Sequence, residues 1–145
     1  MNISYRQAIE VDTETIRSIL ESQKLPTESV GTGATEFYLA LHSGAIVGIA
    51  GYEYYGEDVL LRSVAVPSNL QKSGIGSQLV DWMIAFAKQK GVKRIILLTE
   101  TASKFFAKKG FIAVDRSSIK NDPMKKSSQL GSCCCSSAIC MKLDL

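Results

Sequence analysis

The spacing of apolar residues predicts a strand and then a helix at the start of the chain. Residues 2–7 are expected to form a short strand. Residues 12–24 are expected to form a helix with Asp12 as its N-cap, because an acidic side chain suits the start of a helix. The helix is supported by apolar residues at helical spacing: Ile16, Ile19 and Leu20. Residues 26–34 are polar and Gly-rich, which predicts a loop or a short second helix.

Three strands separated by tight turns are predicted next. They cover residues 36–42, 45–55 and 59–66, which are rich in apolar and aromatic side chains. The turns are Ser43-Gly44 and Gly56-Glu57-Asp58, whose residue types favour reversal of the chain. Two tight turns in succession predict an antiparallel meander.

A strand–helix–strand crossover is predicted in the second half of the chain. An amphipathic helix is expected over residues 74–90, with Ser73 as its N-cap and Gly91 as its stop. The apolar segment 92–99 follows as a buried strand. Since a helix separates the two strands, this strand is predicted to run parallel to its predecessor.

Shorter elements are predicted to complete one domain over residues 1–145. They are a helix over 101–109, a strand over 111–114, an irregular segment over 115–131 and a closing strand over 138–143. The fold class is therefore α/β (α+β), with a mixed sheet and helices on both faces. A closing strand at an edge of the sheet would allow pairing into a homodimer.

The composition is that of an ordinary globular domain. The chain has 145 residues, of which 46% are apolar and 21% are charged. The net charge of +3 is mild and the basic residues are scattered, so nucleic acid is not an expected partner. Neither a membrane-spanning stretch nor a signal peptide is recognisable, so no membrane association and a cytoplasmic location are expected.

Four cysteines lie near the C-terminus: Cys133, Cys134, Cys135 and Cys140. Adjacent cysteines reach disulfide geometry only with strain, so all four are expected to be reduced thiols. Thiolates bind soft metals and metalloids, which leaves a metal-binding module as an alternative function. Three consecutive residues do not converge as paired C-x-x-C ligands do, so no metal site is predicted.

The run Gln71-Lys72-Ser73-Gly74-Ile75-Gly76 lies between an apolar strand and the amphipathic helix. Glycines let an anion approach the backbone, and the N–H groups of a first helical turn point at it. The alternative is an ordinary glycine-containing turn before a helix, and these six residues alone do not decide. A Walker A tripeptide does not occur, and Leu79 stands where a dinucleotide fingerprint has its third glycine.

Three segments together resemble the GNAT superfamily of N-acetyltransferases: Leu61–Val66, the loop 71–76 and Ala102–Phe111. The resemblance implies the GNAT acyl-CoA N-acyltransferase fold, with a mixed and mostly antiparallel sheet. Within the superfamily, the chain is most similar to the small acetyltransferases associated with arsenic resistance. That finer likeness is carried by residues 60–63, 97–99 with Ala102, 105–106, 110–111, and Cys134 with 137–141.

The resemblance implies acetyl-CoA as co-substrate and assigns residues to it. The backbones of Val64, Ala65 and Val66 would pair with the pantetheine and acetyl groups, since the GNAT sheet splays open there. Ser103 and Phe106 would flank the pantetheine. The pyrophosphate would be held by the matching loop and the helix start: Gln71, Lys72, Ser73, Gly74, Ile75, Gly76 and Ser77.

The implied reaction is direct attack of an amine on the acetyl thioester, without a metal. The backbone N–H of Val66 would stabilise the oxyanion, and Glu53 is the first candidate for the base. A solvated glutamate at a strand end is the alternative for Glu53. Phe106 stands where many GNAT enzymes have a tyrosine that protonates the thiolate, which opens a third interpretation, a CoA sensor without catalysis.

The acceptor is expected to be a small-molecule amine or an amino-acid analogue, with a link to arsenic or xenobiotic resistance. Tyr52, Tyr54 and Arg62 are the candidate substrate-binding residues. The tyrosines would line an acceptor pocket or serve as core and rim residues. Arg62 lies in an apolar strand, so it would either face an anionic acceptor or form a structural ion pair.

Overall fold

The computed structural model describes residues 2–125 and 138–145. Seven strands and four helices are assigned there, together with three 3-10 turns. The strands are β1 Ser4–Gln7, β2 Glu36–His42, β3 Ala45–Tyr55, β4 Asp58–Ala65, β5 Arg94–Thr99, β6 Ile112–Val114 and β7 Ile139–Asp144. The helices are α1 Thr13–Ser22, α2 Ile75–Gln89, α3 Ser103–Lys108 and α4 Asp122–Lys125.

The strands form one mostly antiparallel sheet in the order β1-β2-β3-β4-β5-β7-β6. The β1–β2, β2–β3, β5–β7 and β6–β7 pairs are antiparallel, and β4 and β5 are parallel. The predicted meander and the predicted parallel crossover are therefore confirmed. The strand β7 lies between β5 and β6. The closing strand is therefore not an edge strand, because both of its sides are paired, while a homodimer stays a prediction.

The contacts divide the chain into two compact units, each described by itself. The first comprises the chain up to Glu53 and Leu61–Ala85. Its sheet has a helix on each face. Leu20 of α1 packs against Phe37 and Ile49. Tyr52, three residues after Ile49 in β3, contacts α2 on the opposite face. Since side chains alternate along a strand, Ile49, Gly51 and Glu53 of β3 face α1; a register shift between Ile46 and Gly48 places Ile46 on that face as well.

The second unit comprises Tyr54–Leu60 and the chain from Phe86. Leu60 of β4 and Ile96 of β5 form its core with three residues of the C-terminal half: Ile119, Met124 and Cys140. The expectation of a single domain stays a prediction, because contact units do not by themselves define domains. In the described residues, no helix is long and apolar enough to cross a membrane.

Asp12 occupies the predicted N-cap position of α1, but its side chain makes no capping bond to this helix. Its carboxylate accepts the N–H of Ile9 at 2.7 Å and pairs with Arg6 at 2.8 Å. A turn of 3-10 helix before α1 directs it there. Ser73 lies two residues before α2, and its hydroxyl donates to the carbonyl of Leu70. The segment 26–34 forms turns and bends, not a second helix.

Candidate functional site

The second half of β4 lies outside the pairing with β5. Their register runs from Asp58 opposite Arg94 to Leu60 opposite Ile96, yet β4 continues to Ala65. Ser63 has φ +59°, a left-handed conformation that interrupts the regular strand. Backbone groups of β4 beyond Leu60 are thus not taken up by the β4–β5 ladder in the described part of the chain. Such groups favour ligand binding, because a buried backbone N–H or C=O without a hydrogen bond is unfavourable in free energy.

The loop after β4 approaches α2 in a strained, solvent-exposed conformation. Lys72 has φ +68° and Gly74 has φ +88°, and both are exposed. A Cβ on Gly74 would meet nothing within 4 Å. Glycine is therefore favoured at this position by its backbone angle and not by crowding from the protein itself.

The N-terminus of α2 has the geometry of an anion site. The first helical bond runs from the N–H of Gln78 to the carbonyl of Gly74, 3.1 Å away. By helical geometry, the N–H groups of Ile75 and Gly76 have no acceptor within the helix. The helix dipole favours negative charge at this end, and Lys72 adds a positive side chain.

Gln71 connects this loop to the end of β4. Its side-chain Nε2 donates to the carbonyl of Val66 at 3.0 Å and to Oε1 of Gln23 at 2.8 Å. A Cβ on Gly76 would lie 3.8 Å from Cγ2 of Val66. The structure therefore places the predicted phosphate loop beside the predicted oxyanion residue. It also gives Gln71 a structural contact with the end of α1 that the sequence did not indicate.

Arg62 forms a buried ion-pair network with two glutamates. Its Nη1 lies 2.5 Å from Oε2 of Glu53, and its Nη2 lies 2.8 Å from Oε1 of Glu28. The exposed fractions of the side chains are 0% for Arg62, 7% for Glu53 and 51% for Glu28. Burial alone would lower the pKa of Arg62, but the hydrogen bonds that its guanidinium donates to both carboxylates raise it.

This network shows the surroundings of two of the predicted site residues. Arg62 takes the structural ion pair and faces carboxylates of its own chain. Glu53 is buried and hydrogen-bonded, so it is not the solvated strand-end residue of the alternative interpretation. Glu28 was missed, because it lies in a polar loop 34 positions before Arg62 and no local pattern joins them.

The candidate acceptor tyrosines occupy different surroundings. Tyr52 is fully buried, and its hydroxyl donates to the carbonyl of Met83 at 2.8 Å. Of the two roles that the sequence left open for Tyr52, pocket lining or core packing, this environment is that of a core residue. Tyr54 belongs to the second unit and is half-buried.

The predicted pantetheine contacts Ser103 and Phe106 lie on α3 in the second unit. Phe106 is buried, and its ring packs edge to face against Phe105 at 5.1 Å and Phe111 at 5.5 Å between centroids. A phenyl ring carries no transferable proton. The N–H of Ala102, just before α3, is bound by the hydroxyl of Thr99 at 2.9 Å.

The cysteines contribute little to a described site. Cys140 is buried in the second unit, and burial raises the pKa of its thiol. The other predicted thiols, at 133–135, lie outside the described residues. Within residues 2–125 and 138–145, no three His, Cys, Asp or Glu side chains are grouped to hold a metal ion.

The fold is that of acetyltransferases of known structure. N-acetylglutamate synthase from Neisseria gonorrhoeae, solved with coenzyme A and N-acetyl-glutamate, matches all of this chain and 35% of its own, with TM-score 0.83 and 21% identity. A Mycobacterium tuberculosis protein solved with CoA matches 98% of this chain and 99% of its own, with TM-score 0.83 and 22% identity. The ribosomal-protein-S18-alanine N-acetyltransferase of Escherichia coli matches 99% and 94%, with TM-score 0.76 and 14% identity.

The sequence places the chain in a family. Residues 33–113 match the acetyltransferase (GNAT) domain, so the chain belongs to the GNAT family. An uncharacterized N-acetyltransferase of Chlorobaculum tepidum is 27% identical over 94 residues, which are 64% of this chain and 60% of that protein. The chain thus matches less than two thirds of the length of this curated relative.

Proposed function

We propose that this protein is an N-acetyltransferase that transfers the acetyl group of acetyl-CoA to a small-molecule amine. The observation that carries the proposal is the exposed glycine loop at the N-terminus of α2, beside the end of β4 that lies beyond its pairing with β5. The pyrophosphate binds the helix start, from Lys72 to Ser77. The backbones of Val64, Ala65 and Val66 pair with the pantetheine and the acetyl group. Family membership and the CoA-bound structural neighbours support this.

The proposed reaction is a direct acyl transfer. The neutral amine attacks the thioester carbonyl, a C–N bond forms, and the C–S bond breaks with release of the CoA thiolate. The N–H of Val66 stabilises the oxyanion. The carbonyl of Val66 accepts a hydrogen bond from the side chain of Gln71. The nitrogen releases one proton to solvent as the amide forms, and because Phe106 cannot donate a proton, water delivers the proton that the thiolate takes up.

Glu53 is proposed as the base that takes the proton from the acceptor ammonium. Its support is its burial near the end of β3, in the same unit as the part of β4 that lies beyond the pairing with β5. Arg62 then acts as a positioning residue that fixes the carboxylate. Changing Glu53 to Gln keeps the shape and is expected to lower kcat by about 100-fold or more, with unchanged affinity for acetyl-CoA. An unchanged kcat would leave Glu53 with a structural role alone.

The finer part of the proposal is an acceptor that is a small amine or amino-acid analogue, in cytoplasmic resistance to arsenic compounds or xenobiotics. It rests only on the sequence resemblance of residues 60–63, 97–99 with Ala102, 105–106, 110–111, and Cys134 with 137–141. A screen of arsenical and phosphinate amino acids beside simple amines tests it. Faster turnover of the simple amines than of every resistance-related compound would contradict it.

Turnover is tested by release of the CoA thiol from acetyl-CoA in the presence of an amine panel. The proposal predicts amine-dependent thiol release that saturates with both substrates. A CoA-binding protein without catalysis is the second candidate, and the phenylalanine at the acid position favours it. Acetyl-CoA binding without amine-dependent thiol release would establish that candidate and overturn the first.

A further inference from the structure

The C-terminal end of α1 is a fixed point beside the phosphate loop. Gln23 is the C-cap of this helix. The N–H of Leu25 bonds the carbonyl of Leu20 at 2.9 Å, and the N–H of Lys24 bonds the carbonyl of Glu21 at 3.0 Å. Lys24 has φ +59°, so these bonds form a Schellman motif with a left-handed residue after the C-cap. Leu25 also packs against the core that contains Leu20, so the backbone of Gln23 is held in place.

A short turn after β4 brings Gln71 back over Val66. The 3-10 turn Ser68–Leu70 begins after Pro67, whose carbonyl accepts the N–H of Leu70 at 2.8 Å. The chain reverses there, so that Nε2 of Gln71 lies 3.0 Å from the carbonyl oxygen of Val66, five residues earlier. Pro67 also restricts the residue before it to extended conformations. Val66 is therefore constrained both by the proline that follows it and by the side chain of Gln71.

Hydrogen-bond chemistry fixes the direction of each bond between Val66, Gln71 and Gln23, which we call the glutamine bridge. The carbonyl of Val66 only accepts, so the amide of Gln71 must present its NH₂ group there. The same Nε2 lies 2.8 Å from the side chain of Gln23, which must therefore present its oxygen, Oε1. Both hydrogens of Nε2 thus serve acceptors of the chain itself. The side chain of Gln71 then has no N–H left to offer a phosphate.

We propose that Gln23 is a positioning residue for the acyl transfer, acting through Gln71 on Val66. This inference rests on the proposed function for the role of the Val66 N–H, while the bridge itself rests on the two hydrogen bonds. Gln71 holds the residue that stabilises the oxyanion, and the N–H groups at the start of α2 bind the pyrophosphate. Because stabilisation of an oxyanion depends on where its donor lies, loosening the bridge lowers the rate of transfer more than the affinity for acetyl-CoA.

Two substitutions of Gln23 separate positioning from packing. Gln23→Met keeps the length of the side chain and removes the acceptor, whereas Gln23→Glu keeps an acceptor and adds a negative charge near the phosphate loop. Gln71 is exposed, so water replaces part of a lost bond and the expected effect is modest. Gln23→Met is expected to lower the single-turnover rate of thiol release about fivefold and to leave the Kd for acetyl-CoA unchanged. Gln23→Glu is expected to keep that rate within about twofold and to weaken acetyl-CoA about twofold, because its charge repels the pyrophosphate.

Gln89→Met is the matched control for these variants. Gln89 is an exposed glutamine at the end of α2, as Gln23 is a glutamine at the end of α1. The control is expected to change neither the rate nor the Kd, and all three variants should melt within a few degrees of the wild type. The acceptor in these measurements is the amine of the panel with the fastest turnover. The proposal would be overturned if Gln23→Met left the rate unchanged, if Gln23→Glu lost as much rate as Gln23→Met, or if Gln23→Met lost as much affinity as rate.

The bridge is tested without turnover by NMR of the protein alone. A backbone carbonyl that loses a hydrogen bond moves its ¹³C resonance upfield. Gln71→Leu removes the bond to Val66 directly, and Gln23→Met is expected to move the Val66 carbonyl resonance in the same direction by a smaller amount. Gln89→Met is expected to leave that resonance where it is in the wild type. An unmoved Val66 carbonyl in Gln23→Met would overturn the action of Gln23 through Gln71.

The two proposals fail separately in these experiments. If the wild type releases no thiol from acetyl-CoA with any amine of the panel, the acetyltransferase function falls and the catalytic role of the bridge falls with it, while the spectra still decide whether Gln23 holds Val66. If the wild type releases thiol and Gln23→Met is equally fast, the function stands and the positioning role of Gln23 falls.

Discussion

The buried pairing of Arg62 gives the sharpest prediction about stability. Changing Arg62 to Met removes the guanidinium but keeps much of the side-chain volume. Glu53 is then left with a buried charge, since its side chain is 7% exposed. Removing one partner of a buried ion pair costs about 3–5 kcal/mol. The expected loss is thus a large part of a domain stability of about 5–15 kcal/mol.

The same structure predicts much smaller losses of stability for two other variants, Glu28→Gln and Arg94→Met. Glu28 is half-exposed, so Glu28→Gln should cost about 1 kcal/mol or less. Arg94→Met is the surface control, because Arg94 and Asp144 pair at 2.9 Å with exposed fractions of 37% and 59%. It should also cost less than about 1 kcal/mol. In the double variant Glu53→Gln with Arg62→Met, the orphan charge is gone, so the loss should be smaller than the sum of the single losses.

Urea unfolding measures these differences. With an m-value of about 2 kcal/mol/M, Arg62→Met should lower the midpoint by about 2 M. The fluorescence of Trp82, the single tryptophan, and circular dichroism should report the same transition if unfolding is two-state. A loss below about 1 kcal/mol for Arg62→Met, or an equal loss for Glu28→Gln, would refute the assignment of a buried charge network.

Three further predictions concern stability and reactivity. The hydrogen bond from Arg6 holds the pKa of Asp12 below its ordinary value, so this carboxylate stabilises the fold above its unfolded pKa and ceases to do so as pH falls through the folded pKa. Melting curves should therefore show Asp12→Asn to be less stable than the wild type near neutral pH and equally stable in strong acid. A difference in melting temperature that stays constant with pH would contradict this. Gly51→Ala should cost about 1–3 kcal/mol, since its Cβ would overlap the stiff side chain of Thr35, and a urea midpoint like that of the wild type would refute the contact. Cys140 should react with maleimide only after unfolding, as peptide mapping would show; rapid labelling in the folded protein would show that it is not buried.

The sequence predicted the regular elements well, for local reasons. The bounds of β2 and β3 agree with prediction because apolar runs there end at Ser43-Gly44 and at Gly56. The parallel pairing of β4 and β5 followed from the intervening helix. The N-cap position of Asp12 was predicted correctly and that of Ser73 was wrong, and neither side chain caps its helix, because nearby backbone and side-chain partners compete for those oxygens.

Some features of the candidate site were likewise predictable from the sequence, and others were not. The glycine turn before α2 was predictable, because its residues are consecutive and Gly74 has the positive φ that glycine favours; its role in binding phosphate stays a prediction. The partners Glu28 and Arg62, and the pair Thr35 and Gly51, are distant in sequence and meet only when the sheet and α1 pack. A single sequence carries no signal for such contacts.

The central claim, that the loop before α2 binds acetyl-CoA, is tested most directly by calorimetry on two glycine variants. Gly74 has φ +88° and Gly44 has φ +80°, and a Cβ at either would meet nothing within 4 Å. Gly74→Val and Gly44→Val should therefore cost similar stability, about 1–2 kcal/mol. Acetyl-CoA should bind the wild type and Gly44→Val alike, and Gly74→Val at least about tenfold more weakly. Absence of binding to the wild type, or equal affinity for both variants, would contradict the claim.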